Sequence, residues 1–197
     1  MYIIKQFRIA IILLLMMTLL TGLLYPLLVT CIAQLFFPFQ ANGSLIKKND
    51  RIMGSELIGQ FFSNEKYFWG RPSATTPFPY NALNSSGSNF SALNSHLLSD
   101  VKTRIALLQK QAAPMQKLIP VDLVTTSGSG LDPEISPYAA MYQAPRIANA
   151  RKIPEQKVLA LIQAATQNRY LGLLGEPRVN VLELNLVLDD LYAKKTS

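Results

Sequence analysis

The eleven residues Thr126–Ser136, TSGSGLDPEIS, gather hydroxyls, two glycines and two carboxylates between an apolar run and a helix start. A phosphate loop of the G-x-x-x-x-G-K-[ST] kind needs a lysine on the phosphates, and no Gly-Lys pair occurs anywhere in the chain. A dinucleotide fingerprint, G-x-G-x-x-G, fails after Gly128 and Gly130, where Leu131, Asp132 and Pro133 follow. A serine nucleophile at Ser127 or Ser129 calls for G-x-S-x-G and a histidine base, and His96 is the sole histidine. The two S-x-x-K spacings, Ser44–Lys47 and Ser99–Lys102, lack the K-T-G and S-D-N partners of that chemistry. Asp132 and Glu134 beside a proline do not make a calcium loop, and one His with one Cys leaves a transition metal short of ligands.

A structural reading explains more of the stretch. Gly128 and Gly130 allow positive φ, and Asp132-Pro133 favours a turn that delivers Ser136 to the next helix. The Asn- and Ser-rich segment Tyr80–Asn89 reads the same way, as turn chemistry.

The elements that would position these residues begin with a membrane anchor. No charge falls between Ile9 and Ile46, and Ile9–Phe37 is almost wholly apolar, beyond the roughly 20 residues that span a bilayer. A signal peptide's apolar core is only about 7–15 residues long, so the reading is an uncleaved helix over 9–37, core 11–32, behind a cytoplasmic tail 1–8. Gly22 and Pro26 lie inside it, which membrane helices tolerate. Gly22 either admits a partner helix or is incidental to a simple anchor. Lys5 and Arg8 on one flank oppose Lys47, Lys48 and Arg51 on the other; a long following domain translocates largely regardless of such charge, so the domain is placed outside. Cys31 falls in the helix, which leaves the outer domain without a disulfide.

Residues 38–53 read as a linker and 54–197 as one α+β domain. Asn64–Asn89 is expected to be irregular, with Phe61, Phe62, Tyr67, Phe68 and Trp69 adding core. Leu93, Leu97, Val101, Ile105 and Leu108 form a helical stripe with Asp100 and Arg104 paired at i, i+4, a cap at Ser91 or Asn89 and a stop at Pro114. Ile119–Thr125 reads as a strand. Ser136-Pro137 starts a helix that Pro145 should break into 137–144 and 146–152. Ile153-Pro154 opens another, with Val158, Leu161, Ile162 and Ala165 on one side. Arg178–Glu183 reads as a strand, and Leu182, Leu184, Leu186 and Leu188 keep a period of two unless Asn185 caps a last short helix. Beyond Lys5 and Arg8, 17 basic residues against 12 acidic are spread through the outer domain without aromatic clustering, which argues against nucleic acid.

Ordered blocks carry a resemblance. TGLLYPL (Thr21–Leu27), QANGSLI (Gln40–Ile46), GSELIG (Gly54–Gly59), YFWGRPSA (Tyr67–Ala74), SGSN (Ser86–Asn89), Thr126–Pro137, QAPRIANAR (Gln143–Arg151) and GEPRVNVLELN (Gly175–Asn185) run from the apolar helix nearly to the end. In these the chain resembles the C-subunit family of the Kdp high-affinity potassium-transporting P-type ATPase. It departs where Ser86 replaces the first glycine of a usual Gly-Gly pair.

The resemblance implies a single-pass subunit of the bacterial inner membrane, amino terminus in the cytoplasm and main domain in the periplasm. Its implied partners are a channel-like potassium-binding subunit, an ATP-hydrolysing subunit and a small single-helix subunit. ATP and Mg would be held by the hydrolysing subunit and potassium by the channel-like one, and the P-type phosphorylation motif D-K-T-G-T is absent here. The family is described as a stabilising subunit and catalytic chaperone that raises ATP affinity, with Gln143 the matching nucleotide-linked position. A periplasmic domain cannot touch cytoplasmic ATP, so such an effect is expected to be indirect. Gly22, Pro26, Arg71, Ser127, Ser129, Asp132 and Asn180 are the expected partner or ion-path contacts. The alternative is a membrane-anchored periplasmic serine hydrolase using Ser127 or Ser129 with His96.

Overall fold

The computed structural model describes residues 2–111 and 118–196. They divide into two compact units, Met1–Leu45 and Ile46–Ser197. The first is built on one helical rod, α1 (Tyr2–Leu19), a π-helical turn at Leu20–Leu24, and α2 (Tyr25–Phe36). Over Tyr2–Phe36 it is long and apolar enough to cross a membrane, and none of it is buried. The π turn falls where Pro26 would collide with the carbonyl of Gly22. Widening the helix to an i→i+5 bond, Tyr25 N–H to the Leu20 carbonyl, absorbs the ring without breaking the rod. A short helix, α3 (Pro38–Ala41), follows.

Strands β1 (Leu45–Lys48) and β2 (Arg51–Ser55) pair as a ribbon. Asn49 and Asp50 turn it, both at positive φ, the geometry of a two-residue hairpin loop. The segment read as a linker thus carries regular structure, because an Asn-Asp pair between strand-competent runs is itself a turn signal.

The second unit is α+β, as expected. A three-stranded antiparallel sheet runs β3 (Glu134–Ile135), β5 (Arg178–Asn180), β4 (Thr166–Gln167) in space, with Ile135 and Thr166 both opposite Val179. Against it pack α5 (Pro137–Arg151), α6 (Glu155–Ala165) and α7 (Val181–Thr196). Alanines 139, 140 and 144 with Ile147 are fully buried on α5, and their small side chains let neighbouring backbone approach. The core adds Phe68, Val158, Ile162, Val179, Leu184 and Leu188. Phe61 stays exposed.

Helix α4 (Ser95–Gln111) carries the expected stripe through Val101, Ile105 and Leu108, and Arg104 meets Asp100 at 3.8 Å. Its cap is Asn94, whose Oδ1 accepts the His96 N–H at 2.8 Å, so Leu93 falls outside the helix and is exposed. The stop at Pro114 lies outside the described residues.

Three further expectations are corrected. Val121–Leu123 is a 3₁₀ turn, not a strand, because Pro120 supplies a fixed φ and a carbonyl that accepts the Leu123 N–H. Pro145 does not divide α5: the residues around it, Ala144, Arg146 and Ile147, are all buried, and their packing outweighs one missing hydrogen bond. Residues 181–188 are helical: the Asn180 side chain caps the Glu183 N–H at 3.1 Å, and Val181, Leu184, Asn185 and Leu188 are buried at helical spacing.

Candidate functional site

Two polar constructions stand out in the second unit. The first holds the strap Glu65–Trp69, a turn at Glu65-Lys66 running into irregular chain, to which no strand pairs among the described residues. Gln143, 2% exposed on α5, accepts the Trp69 N–H at 2.8 Å through Oε1 and donates Nε2 to the Trp69 carbonyl at 3.1 Å. Asn185 on α7 repeats the device one residue earlier, accepting the Phe68 N–H at 2.8 Å and donating to its carbonyl at 3.0 Å. Two side-chain amides thus pair backbone groups that no regular element satisfies, which is what buried backbone requires.

Arginines of α5 complete the strap. Arg146 donates to the carbonyls of Glu65 (2.5 Å) and Tyr67 (3.0 Å) and to Gln143 Oε1 (2.8 Å), while its guanidinium lies 4.3 Å from the Trp69 ring centroid. Arg151 donates to the Lys66 carbonyl and to Asp189 (both 2.7 Å) and lies 4.8 Å from the Tyr67 ring centroid. Burial lowers the Arg146 pKa to about 10, opposed by Glu65, so it remains cationic at neutral pH. Burial, then the hydrogen bond to Asp189, pushes the Tyr67 phenol up.

The second construction knots the TSGSGLDPEIS loop to the segment 71–88. Arg71 reaches Asp132 at 3.2 Å and the Thr126 carbonyl at 3.3 Å. Ser127 N–H donates to the Pro72 carbonyl (3.0 Å), Ser73 Oγ to the Gly130 carbonyl (2.7 Å) and Ser85 Oγ to the Ser129 carbonyl (2.9 Å), while Thr126 Oγ1 donates to Ser88 Oγ (2.9 Å). Within the loop, Ser129 and Asp132 each turn back onto a backbone N–H two residues ahead. Tyr80 donates to the Arg71 carbonyl at 2.6 Å, and burial, with Asp132 adding, pushes its phenol up to about 12. A cavity of about 280 Å³ adjoins Arg71, walled by aromatic and leucine side chains, with Arg71 and Arg104 its charged members.

The structure therefore brings Arg71, Ser127 and Asp132 together. Asn180 joins them through β5 and the bond from Val181 N–H to the Pro133 carbonyl, and also donates to the Glu56 carbonyl. Ser129 sits on the exposed rim of the loop, Gln143 belongs to the strap, and Gly22 and Pro26 lie in the other unit. Ser127 is 2% exposed, whereas His96 is exposed and stacks on Phe90; among the described residues no hydrogen bond links His96 to either serine. Ser127 Oγ and Arg71 Nε are buried without a hydrogen-bond partner. No group of three His, Cys, Asp or Glu among the described residues is placed to hold a metal. What both constructions do chemically is fasten backbone to backbone through side chains.

Sequence reasoning missed Arg146, Arg151 and Asn185. The available signal was the spacing of Gln143, Arg146 and Arg151 on a helix whose apolar face is mostly alanine: long polar side chains there reach across to a neighbour. The Ser86 departure is also explained, since its hydroxyl lies toward the Ala74 carbonyl, while a side chain at Gly87 would meet the Gly128 carbonyl oxygen at 2.8 Å.

Comparison with known proteins finds matches over most of the chain. Residues 7–190 match a family model described as KdpC, K+-transporting ATPase, c chain. Among similar proteins are those of Polynucleobacter asymbioticus (57% identical, covering 88% of this chain and 92% of the other), Methylococcus capsulatus (54%, covering 95% and 99%) and Burkholderia orbicola (54%, covering 91% and 93%). Each of these is called a potassium-transporting ATPase KdpC subunit.

Proposed function

We propose, from the premise that this chain belongs to the KdpC family of K+-transporting ATPase c chains, that it serves the pump as a membrane-anchored scaffold and not as a catalyst. The Tyr2–Phe36 helix anchors it in the bacterial inner membrane, with the amino terminus cytoplasmic and the α+β unit in the periplasm. ATP hydrolysis, with its Mg, then resides on one partner subunit and potassium binding on a channel-like one, and a small single-helix subunit completes the assembly.

The observation that carries this reading is the saturation of Gln143. Its amide oxygen accepts two hydrogen bonds and its amide nitrogen donates two, all inside the protein. A nucleotide would have to displace the strap to reach it. Any influence of this position on ATP affinity is therefore transmitted through the rigidity of the outer unit and its contacts in the complex.

The test compares the purified complex with and without this chain. Removal should disperse the other subunits and abolish potassium-stimulated ATP hydrolysis, and adding the chain back should restore both. Saturable ATP binding by the isolated chain that disappears in Gln143→Ala would instead mark a nucleotide site and sink the scaffold reading. Topology is checked with a single cysteine at Gly128 in a Cys31→Ser background. A membrane-impermeant maleimide should label it from the periplasmic side; labelling only from the cytoplasm would invert the arrangement.

A further inference from the structure

Where the apolar rod ends, the chain is fastened back onto it. Asn42, just past α3, exchanges hydrogen bonds with Gln34 in the last turn of α2, Nδ2 to Oε1 at 3.2 Å and, in return, Gln34 Nε2 to Oδ1 at 3.5 Å. Asn42 Nδ2 also donates to the Pro38 carbonyl at 2.6 Å, and the Gly43 and Ser44 N–H groups donate to the Gln40 and Phe39 carbonyls at 3.0 Å each. Three residues of fully extended chain reach at most about 10 Å. Strand β1, which opens at Leu45, therefore starts within that distance of Asn42, at the end of the span.

The β1–β2 ribbon has two unlike faces. Lys48, Arg51 and Met53 line a groove with Leu186 and Asp189 of α7, and Lys48 meets Asp190 at 2.5 Å. Successive side chains alternate across a strand, so Leu45, Lys47 and Ile52 fall on the opposite face. There Leu45 and Ile52 are 37% and 61% exposed, and Lys47 is exposed beside them. Among the described residues no ion pair or hydrogen bond engages the Lys47 side chain, and the ribbon's one acid, Asp50, lies in its turn.

The tether indicates what covers that face. A bilayer's headgroup region begins where an apolar span ends, and β1 starts only a few residues of chain from that point. An outward leucine and isoleucine suit the acyl boundary, and a lysine among them reaches up to phosphate. The lysine on the α7 side takes its carboxylate from within the chain, whereas Lys47 is left for an anion outside it, and lipid phosphate is the anion that the tether brings near.

We propose that the Leu45, Lys47 and Ile52 face of this ribbon rests on the headgroup layer of the leaflet at which the rod ends, and that Lys47 binds an anionic phospholipid there. The proposal rests on the membrane placement given above.

The test reconstitutes the full-length chain with its partner subunits into vesicles of equal parts phosphatidylglycerol and phosphatidylcholine. A single cysteine, Ile52→Cys in a Cys31→Ser background, carries an environment-sensitive fluorophore. Its emission should be blue-shifted, quenched by phospholipid spin-labelled at the headgroup, and spared by iodide. With Lys47→Gln added, the ratio of lipid-quenched to unquenched fluorophore should fall about fivefold. Emission that iodide quenches and the labelled lipid does not would place the face in water, and blue-shifted emission that neither reaches would put a protein surface over it. Either result overturns the lipid contact, as does a ratio unchanged by Lys47→Gln, and the membrane placement survives all three. If the full-length chain alone fails to float with the vesicles after an alkaline wash, that placement falls, and the lipid contact with it.

Discussion

Gln143 and Trp69 exchange two hydrogen bonds, from the Trp69 N–H to Oε1 and from Nε2 to the Trp69 carbonyl. One side-chain amide thereby does for a segment outside any helix or strand what a neighbouring strand does in a sheet. Replacing it with alanine leaves a buried donor and acceptor without partners and removes an acceptor from Arg146. Gln143→Ala should cost about 1–3 kcal/mol of stability with no nucleotide present. Urea unfolding of the detergent-solubilised chain, followed by the fluorescence of its single tryptophan, Trp69, measures this directly. An unchanged midpoint would show that the bracket does not hold the strap.

Asn185 treats Phe68 in the same way from α7. Because the two amides grip adjacent residues of one strap, releasing one lets the other grip loosen. Asn185→Ala alone should cost about 1–3 kcal/mol. The Gln143→Ala, Asn185→Ala double variant should lose less than the sum, by at least about 0.5 kcal/mol. Strict additivity would mean that α5 and α7 hold independent stretches of chain.

How much of this was legible in the sequence follows from the range of each interaction. The long apolar helix, the α6 stripe at Val158 and Ile162, and the Ser136-Pro137 start of α5 depend on near neighbours and are readable. The Leu182–Leu188 alternation misled because Leu186, one of the residues that make the period of two, is only half-buried, while the buried positions 181, 182, 184, 185 and 188 follow a helical face and include an asparagine that periodicity scores as polar. The strap was invisible for a different reason. Its partners lie 74 to 117 positions away, and a side chain bonded to backbone leaves no trace in the backbone's own sequence. The TSGSGLDPEIS loop was readable as a turn but not as one half of a knot, since its bonds run to residues 71–88.

The two glycines of that loop should respond oppositely. Gly130 has φ +69°, and a Cβ there would lie 2.5 Å from Thr75 Cγ2 and 2.6 Å from the Ser86 carbonyl oxygen. A Cβ at Gly128 meets nothing within 4 Å, and its φ is not in the left-handed region. Gly130→Ala should therefore destabilise by more than about 1 kcal/mol, because strain and overlap with backbone add. Gly128→Ala should stay within about 0.5 kcal/mol of the parent. Thermal melts of the two variants side by side decide it, and equal effects would remove the argument that the loop is a space-limited junction.

Tyr80 links the same junction to pH. Its phenol donates to the Arg71 carbonyl, and burial, reinforced by Asp132 and opposed by Arg71, raises its pKa from 10.0 to about 12. Below pH 10 the phenol is protonated in both folded and unfolded chains, and its contribution to stability is complete. Between pH 10 and 12 the unfolded chain releases this proton while the folded chain retains it, so stability falls as pH rises. Tyr80→Phe should lose about 1 kcal/mol at pH 8 through the missing hydrogen bond, and its own share of the alkaline decline should vanish. Part of the decline will persist, since burial also raises the phenols of Tyr67 and Tyr142. Urea midpoints at pH 8, 10 and 11 for both chains should therefore converge as pH increases. Parallel curves would place the Tyr80 phenol in water, and the knot between Arg71 and the 126–136 loop would then be looser than its distances imply.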